Sequence, residues 1–181
     1  MKKEIRLCGF GGQGIITAGV IVGKSASVYS NYNAVQTQSY GPEARGGASK
    51  SEVIISDEEI GYPGIEKADI LVVMSQQAWD RYGKTSKPNS TIVIDPDMVK
   101  IERGGKKIYE VRATKIASDL GNKIIANMVM LGALVGITGI VPKDAMEQAI
   151  LDSVPKRFVG LNKHAFAEGF KHGVRELDKQ G

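Results

Sequence analysis

Cys8-Gly9-Phe10-Gly11-Gly12-Gln13-Gly14-Ile15-Ile16 is the stretch on which the reading of this chain turns. A short strand-like opening with apolar Ile5, Leu7 and Phe10 precedes it, and a helix-like run follows. Gly9, Gly11 and Gly14 have the GxGxxG spacing of a dinucleotide-binding turn. Residues without Cβ let the chain turn tightly and bring backbone N–H groups close to an anion. The following helix points its positive dipole end at the same place. Gly14, the third glycine, is expected where that helix packs closely on the strand. An NAD site also needs an acid roughly 20 residues further on to hold the ribose. No acid stands between Glu4 and Glu43, so the NAD reading fails. Three readings remain: anion binding without a ribose clamp, docking to a partner, or a turn kept for packing.

Working outward, the strands read as 4–9, 33–38, 51–56, 68–74 and 91–96, with an edge strand at 107–112. Helices read as about 12–30, 114–120, 122–138, 142–152 and 160–178, with another after Ser75, which can cap it. Ala18, Val22, Ala26 and Tyr29 mark the buried stripe of the first helix. This alternation predicts an α/β protein with a Rossmann-like, open, mostly parallel sheet. Helices cover both faces, and the C-terminal part is helical. The chain, residues 1–181, reads as one domain.

Composition narrows the function. The 181 residues carry a net charge of +4, scattered without a long basic run, which argues against nucleic-acid binding. Residues 124–137 are apolar except for Asn127 and two glycines. That run falls short of the roughly 20 residues of a membrane span and reads as a buried core helix. With no apolar leader at the start, the expected location is cytoplasmic. The single cysteine, Cys8, cannot hold an iron–sulfur cluster or a zinc ion and is expected to pack in the core.

The second informative segment is Ser39-Tyr40-Gly41-Pro42-Glu43-Ala44-Arg45-Gly46-Gly47-Ala48. Its Gly and Pro content makes it a loop, and both it and the glycine-rich turn follow strand C-termini. Ligands of open α/β sheets bind at that edge. Arg45 can be presented there to a carboxylate or phosphate; the other reading is a solvated loop with a local Glu43–Arg45 pair. Asn127 is a polar residue in an apolar helix and needs a hydrogen-bond partner: the glycine turn, a ligand, another chain or its own backbone. His164 and His172 lack metal-pair spacing and read as surface residues. Asp95 and Asp97, around Pro96, read as turn chemistry. Met74, Met128, Met130 and Met146 read as core. No nucleophile–base pair or paired carboxylates can be singled out, which favours a subunit over a complete enzyme.

Gly9-Phe10-Gly11-Gly12-Gln13-Gly14, then Tyr40-Gly41-Pro42-Glu43-Ala44-Arg45-Gly46-Gly47, then Asn127 together resemble the γ subunits of 2-oxoacid:ferredoxin oxidoreductases. The resemblance runs over nearly the whole chain, and the wording of residues 39–60 is closer to the 2-oxoglutarate type than to the pyruvate type. It implies a complex that turns a 2-oxoacid and CoA into acyl-CoA and CO2 and passes electrons to ferredoxin or a similar acceptor. It implies α, β and δ subunits as partners, with thiamine diphosphate, Mg2+ and [4Fe–4S] clusters carried there. No cofactor and no catalytic residue is expected on this chain. Gly9, Gly11, Gly12, Gln13, Gly14, Glu43, Arg45, Gly46, Gly47 and Asn127 are its candidate ligand or interface residues. The competing expectation is a self-contained, Rossmann-type nucleotide-binding enzyme or sensor.

Overall fold

The computed structural model describes residues 1–40 and 47–180. Its strands are β1 (Lys2–Phe10), β2 (Asn33–Ser39), β3 (Ala48–Ser56), β4 (Ala68–Val73), β5 (Ser86–Ile94) and β6 (Lys107–Glu110). They form one sheet in the order β2-β3-β1-β4-β5-β6. β4 pairs in parallel with β1 and β5, and β5 with β6. β3 runs antiparallel to both β1 and β2, so a largely parallel sheet contains one reversed strand. The cause is the short connection at residues 40–47. A parallel return needs a crossover of about a dozen residues or more.

The helices are α1 (Ile15–Ser27), α2 (Gln76–Tyr82), α3 (Ala113–Asp119), α4 (Ala126–Thr138), α5 (Lys143–Leu151) and α6 (Val159–Asp178), with 3-10 turns at Lys123–Ile125 and Lys156–Phe158. Alternation along β1 divides the two faces. Ile5 and Leu7 enter a large core with residues of α1, α3, α4, α5 and α6. Cys8 enters a smaller core with Ala78 and Tyr82 of α2. Ser75 caps α2, its hydroxyl accepting the Ala78 N–H at 3.2 Å.

Several boundaries differ from the expected ones. α1 starts at Ile15 rather than near residue 12, because Gly12 and Gly14 have φ of 98° and 70°, outside helical geometry. β3 begins at Ala48, and β5 begins at Ser86, before Pro88. That proline lies where the β4–β5 register shifts, between the partners of Ala68 and Ile70, one of the few sheet positions that tolerate a missing N–H. The expected 122–138 helix divides, Asn122 capping the 3-10 turn through the Ile124 N–H. Ile124 therefore stands 74% exposed rather than buried. The rest of the apolar run is core: every residue from Ala126 to Val135 is buried.

α4 and α6 pack with their backbones almost touching. A Cβ on Gly132 would strike the Phe166 carbonyl, and one on Gly169 the Val129 carbonyl. This small-residue seam explains how one helix can be sheathed on all sides. The four methionines named above are buried. His164 is exposed and His172 half-buried. Asp95 is fully buried, its carboxylate accepting the Asp97 N–H at 3.1 Å, the expected turn chemistry, and also the Thr114 N–H at the start of α3 at 2.7 Å, while the Asp97 carboxylate pairs with Arg112. Among the described residues, no helix is long and apolar enough to cross a membrane.

Candidate functional site

The glycine-rich turn leaves β1 at the C-terminal edge of the sheet and is tied down on three sides. Gln13 makes two of the ties. Its side-chain oxygen accepts the Phe10 N–H at 2.9 Å, and its amide donates to the Met74 carbonyl, just past β4, at 2.8 Å. Gln13 is thus a brace between neighbouring strand ends, both ends of its amide already engaged. Gly11 makes the third tie, its N–H donating to the Gly47 carbonyl at 3.2 Å. Turn and second loop therefore meet, as their shared position at strand C-termini implied. Glu43, Arg45 and Gly46 lie outside the described residues.

Gly9 and Gly14 are glycine for different reasons. A Cβ on Gly9 would meet Gln13 Oε1 and Ile15. Gly14 occupies the left-handed region at the start of α1, and a Cβ there would collide with Asn127 Nδ2. Its close neighbour is therefore α4, not the sheet as the motif suggested. The close approach of α1 to the sheet falls at Gly19, against the Ser51 hydroxyl. Asn127 is 6% exposed and donates from Nδ2 to the Gly14 carbonyl at 3.2 Å, while its oxygen accepts the Met128 N–H at 2.9 Å. One of the partners left open by the sequence is thereby settled: Asn127 bonds the glycine turn.

With Gln13 and Asn127 engaged, what the turn offers outward is backbone. No side chain caps the start of α1, so its first N–H groups face water or a ligand. Two clefts open beside it, sharing Gly12 and Ile124. One, of about 410 Å3, includes Gly14, Thr17, Asn122, Asn127, Phe158 and Asn162 among its walls. The other, of about 320 Å3, includes Phe10, Gln13, Met98, Thr114 and Lys123. Thr17, Asn122, Lys123, Ile124, Phe158 and Asn162 line these clefts without having stood out in the sequence. Only the Gly121-Asn122 break before the apolar run hinted that Ile124 would turn outward.

Cys8 lies one residue before this turn but is closed to it. It is fully buried, its thiol directed at the Val72 carbonyl at 3.4 Å, and burial pushes its pKa up to about 12. Among the described residues, no cluster of His, Cys, Asp and Glu is placed to hold a metal ion.

Sheet, turn and clefts define a Rossmann-like α/β protein with two clefts beside the glycine turn at the C-terminal strand edge. The family model described as pyruvate ferredoxin/flavodoxin oxidoreductase matches residues 4–172. The chain belongs to that family. It is 54% identical to the 2-oxoglutarate synthase subunit KorC of Methanocaldococcus jannaschii, over 94% of each chain. It is 49% identical to the KorC subunit of Methanothermobacter marburgensis, over 100% of this chain and 99% of that one. Among solved structures, the keto/oxoacid ferredoxin oxidoreductase γ subunit from Geobacter sulfurreducens superposes with a TM-score of 0.89 at 43% identity, covering 97% and 98% of the two chains. The 2-oxoglutarate:ferredoxin oxidoreductase of Magnetococcus marinus, solved with 2-oxoglutarate, coenzyme A and succinyl-CoA bound, shares the fold (TM-score 0.85, 22% identity) over 31% of its own chain.

Proposed function

We propose that this chain is the non-catalytic γ subunit of a cytoplasmic 2-oxoglutarate:ferredoxin oxidoreductase, whose complex forms succinyl-CoA and CO2 from 2-oxoglutarate and CoA. The observation that carries this reading is full-length similarity, at 54% identity, to a 2-oxoglutarate synthase subunit. α, β and δ subunits are its partners, and they carry thiamine diphosphate, Mg2+ and the [4Fe–4S] clusters. This chain's own residues suit that division. Its one cysteine is sealed in the core, whereas a cluster needs several accessible thiolates.

In this reading the glycine turn shapes the mouth of the assembled active site. Gly9, Gln13, Gly14 and Asn127 hold its geometry. Gly11 and Gly47 join it to the second loop, and Gly12 with the α1 terminus supplies backbone donors for an anionic group of CoA or a facing subunit. Glu43, Arg45 and Gly46, just before Gly47 in the sequence, are the further candidates of this reading, a guanidinium such as that of Arg45 being chemically suited to an anion. The relatives give no support to a self-contained nucleotide-binding enzyme: the two named above are oxidoreductase subunits.

Affinity purification of the native complex through this chain tests the reading. The expected result is co-purification of thiamine-binding and ferredoxin-like chains, with acyl-CoA formation fastest on 2-oxoglutarate among several 2-oxoacids. Recovery of the chain without such partners would contradict it.

A further inference from the structure

The two edges of the sheet are built differently. Natural edge strands are guarded by charges, proline, bulges or brevity, because an open row of backbone donors and acceptors recruits other strands. β6 is guarded. It has four residues, begins at Lys107 beside Lys106, and its Ile108 carbonyl accepts the Gln180 side-chain amide at 2.6 Å. β2 has none of these devices. Asn33-Ala34-Val35-Gln36-Thr37-Gln38-Ser39 carries no charge and no proline, and its register with β3 is unbroken from Asn33 to Ser39.

The absence of charge extends beyond the strand. No charged residue stands between Lys24 and Glu43, in a chain where 24% of residues are charged. Within that stretch Val28, before β2, is 62% exposed, and Tyr40, after it, is 66% exposed. A surface segment of this kind is unusual for a face that stays in water.

We propose that β2 is a strand-pairing interface and that its occupant is β2 of a second copy of this chain, antiparallel across a twofold axis. A twofold interface sets a patch against itself, so it must tolerate its own sequence. Like charges directly opposite each other destabilise a strand pair; β2 has none to oppose. A head-to-tail pairing of β2 with β6 would propagate into open filaments, and the guarded β6 edge blocks it. Ala34 packs against the core, and Gln36 bonds the Ser51 hydroxyl at 2.7 Å. Val35 and Thr37, half-buried on the opposite side of the pleat, are the positions to change. The inference does not rest on the proposed activity.

Sedimentation velocity on the full chain across a concentration series is the test, with amide hydrogen exchange alongside. A short strand pair buries less than a standard stable interface, so the expected result is a weak, concentration-dependent dimer in which β2 amides gain protection. Val35→Lys/Thr37→Lys should raise the dimer dissociation constant at least tenfold while the thermal midpoint stays close to that of the parent. A parent chain still monomeric at about 1 mM would overturn the proposal. So would a dimer unaffected by the double substitution, or β2 amides protected only when other subunits are added.

Discussion

Asn127 and Gly14 lie 113 positions apart and are locked together: the Asn127 side chain donates to the Gly14 carbonyl at 3.2 Å, in the space a Gly14 side chain would need. The contact couples the first βα turn to the buried helix α4. Gly14→Val should therefore destabilise the chain on two counts, crowding at Asn127 and strain at a φ of 70°. Overpacking alone costs about 1–3 kcal/mol, so a loss of about 2 kcal/mol or more is expected in a urea titration. Asn127→Ala should lose about 0.5–1.5 kcal/mol, because the half-buried Gly14 carbonyl loses one donor but keeps the Ala18 N–H at 2.9 Å. An unchanged midpoint in either variant would mean the lock is absent.

Gln13→Leu keeps much of the bulk but removes both hydrogen bonds of the brace. The Phe10 N–H and the Met74 carbonyl lose partners, a loss of about 0.5–1.5 kcal/mol for each bond at this half-buried site. Gln13→Glu should rescue only the Phe10 bond, since a carboxylate cannot donate to Met74. Amide exchange at Phe10 separates the two: fast in the Leu variant and slow in the Glu variant.

The other face of β1 holds a buried ion pair. Arg6 is 2% exposed and donates from Nε to Glu52 at 2.7 Å, while its remaining nitrogens reach the Ile65 and Thr85 carbonyls at 2.8 and 2.9 Å. Removing one partner of a buried pair costs about 3–5 kcal/mol when the other charge is left alone; here Glu52 keeps Lys50 at 2.9 Å, so Arg6→Met should fall at or below the lower end of that range. Arg6→Met should still be among the most damaging single changes in the sheet, and Arg6→Met/Glu52→Leu should recover much of the loss. Equal stability of the single and double variants, measured by denaturant titration, would show that the pair is not what holds this face.

Much of this was legible in the sequence, for physical reasons. The glycine turn, the central strands and the buried helix announced themselves through conformational need and unbroken apolar runs. Arg6 and Glu52 did not, because they sit directly opposite each other on adjacent strands and only the register reveals the pair. The antiparallel β3 was signalled by the brevity of the 40–47 connection, which the β-α-β rhythm elsewhere obscured. The first half of β5, Ser86-Lys87-Pro88-Asn89-Ser90, is too polar to read as a strand; Ser86 pairs with Ala68, and Lys87 is held by Asp69 and Glu4. At the site, Gln13 read as a ligand candidate because sequence shows a side chain's chemistry but not whether that chemistry is already used.

Cys8 sets an alkaline dependence. Its folded pKa, near 12, lies above the ordinary value of 9.0. The folded state thus holds the thiol proton more tightly than the unfolded state does. That contribution to stability is complete below about pH 9 and is lost as pH rises towards 12. Cys8→Ala should flatten the decline in unfolding free energy across this window relative to the parent. The parent thiol should also resist a thiol reagent at pH 8 until denaturant is added. Rapid labelling of the folded chain would place Cys8 at the surface instead.

In the proposed function this chain completes a catalytic complex without performing its chemistry. Reconstitution with and without it tests this most directly, using purified partner subunits, 2-oxoglutarate, CoA and a viologen acceptor. The expected result is no reduction by this chain alone, weak or no succinyl-CoA formation by the partners alone, and full turnover only when all are combined. Turnover by the isolated chain, or full turnover by the partners in its absence, would contradict it.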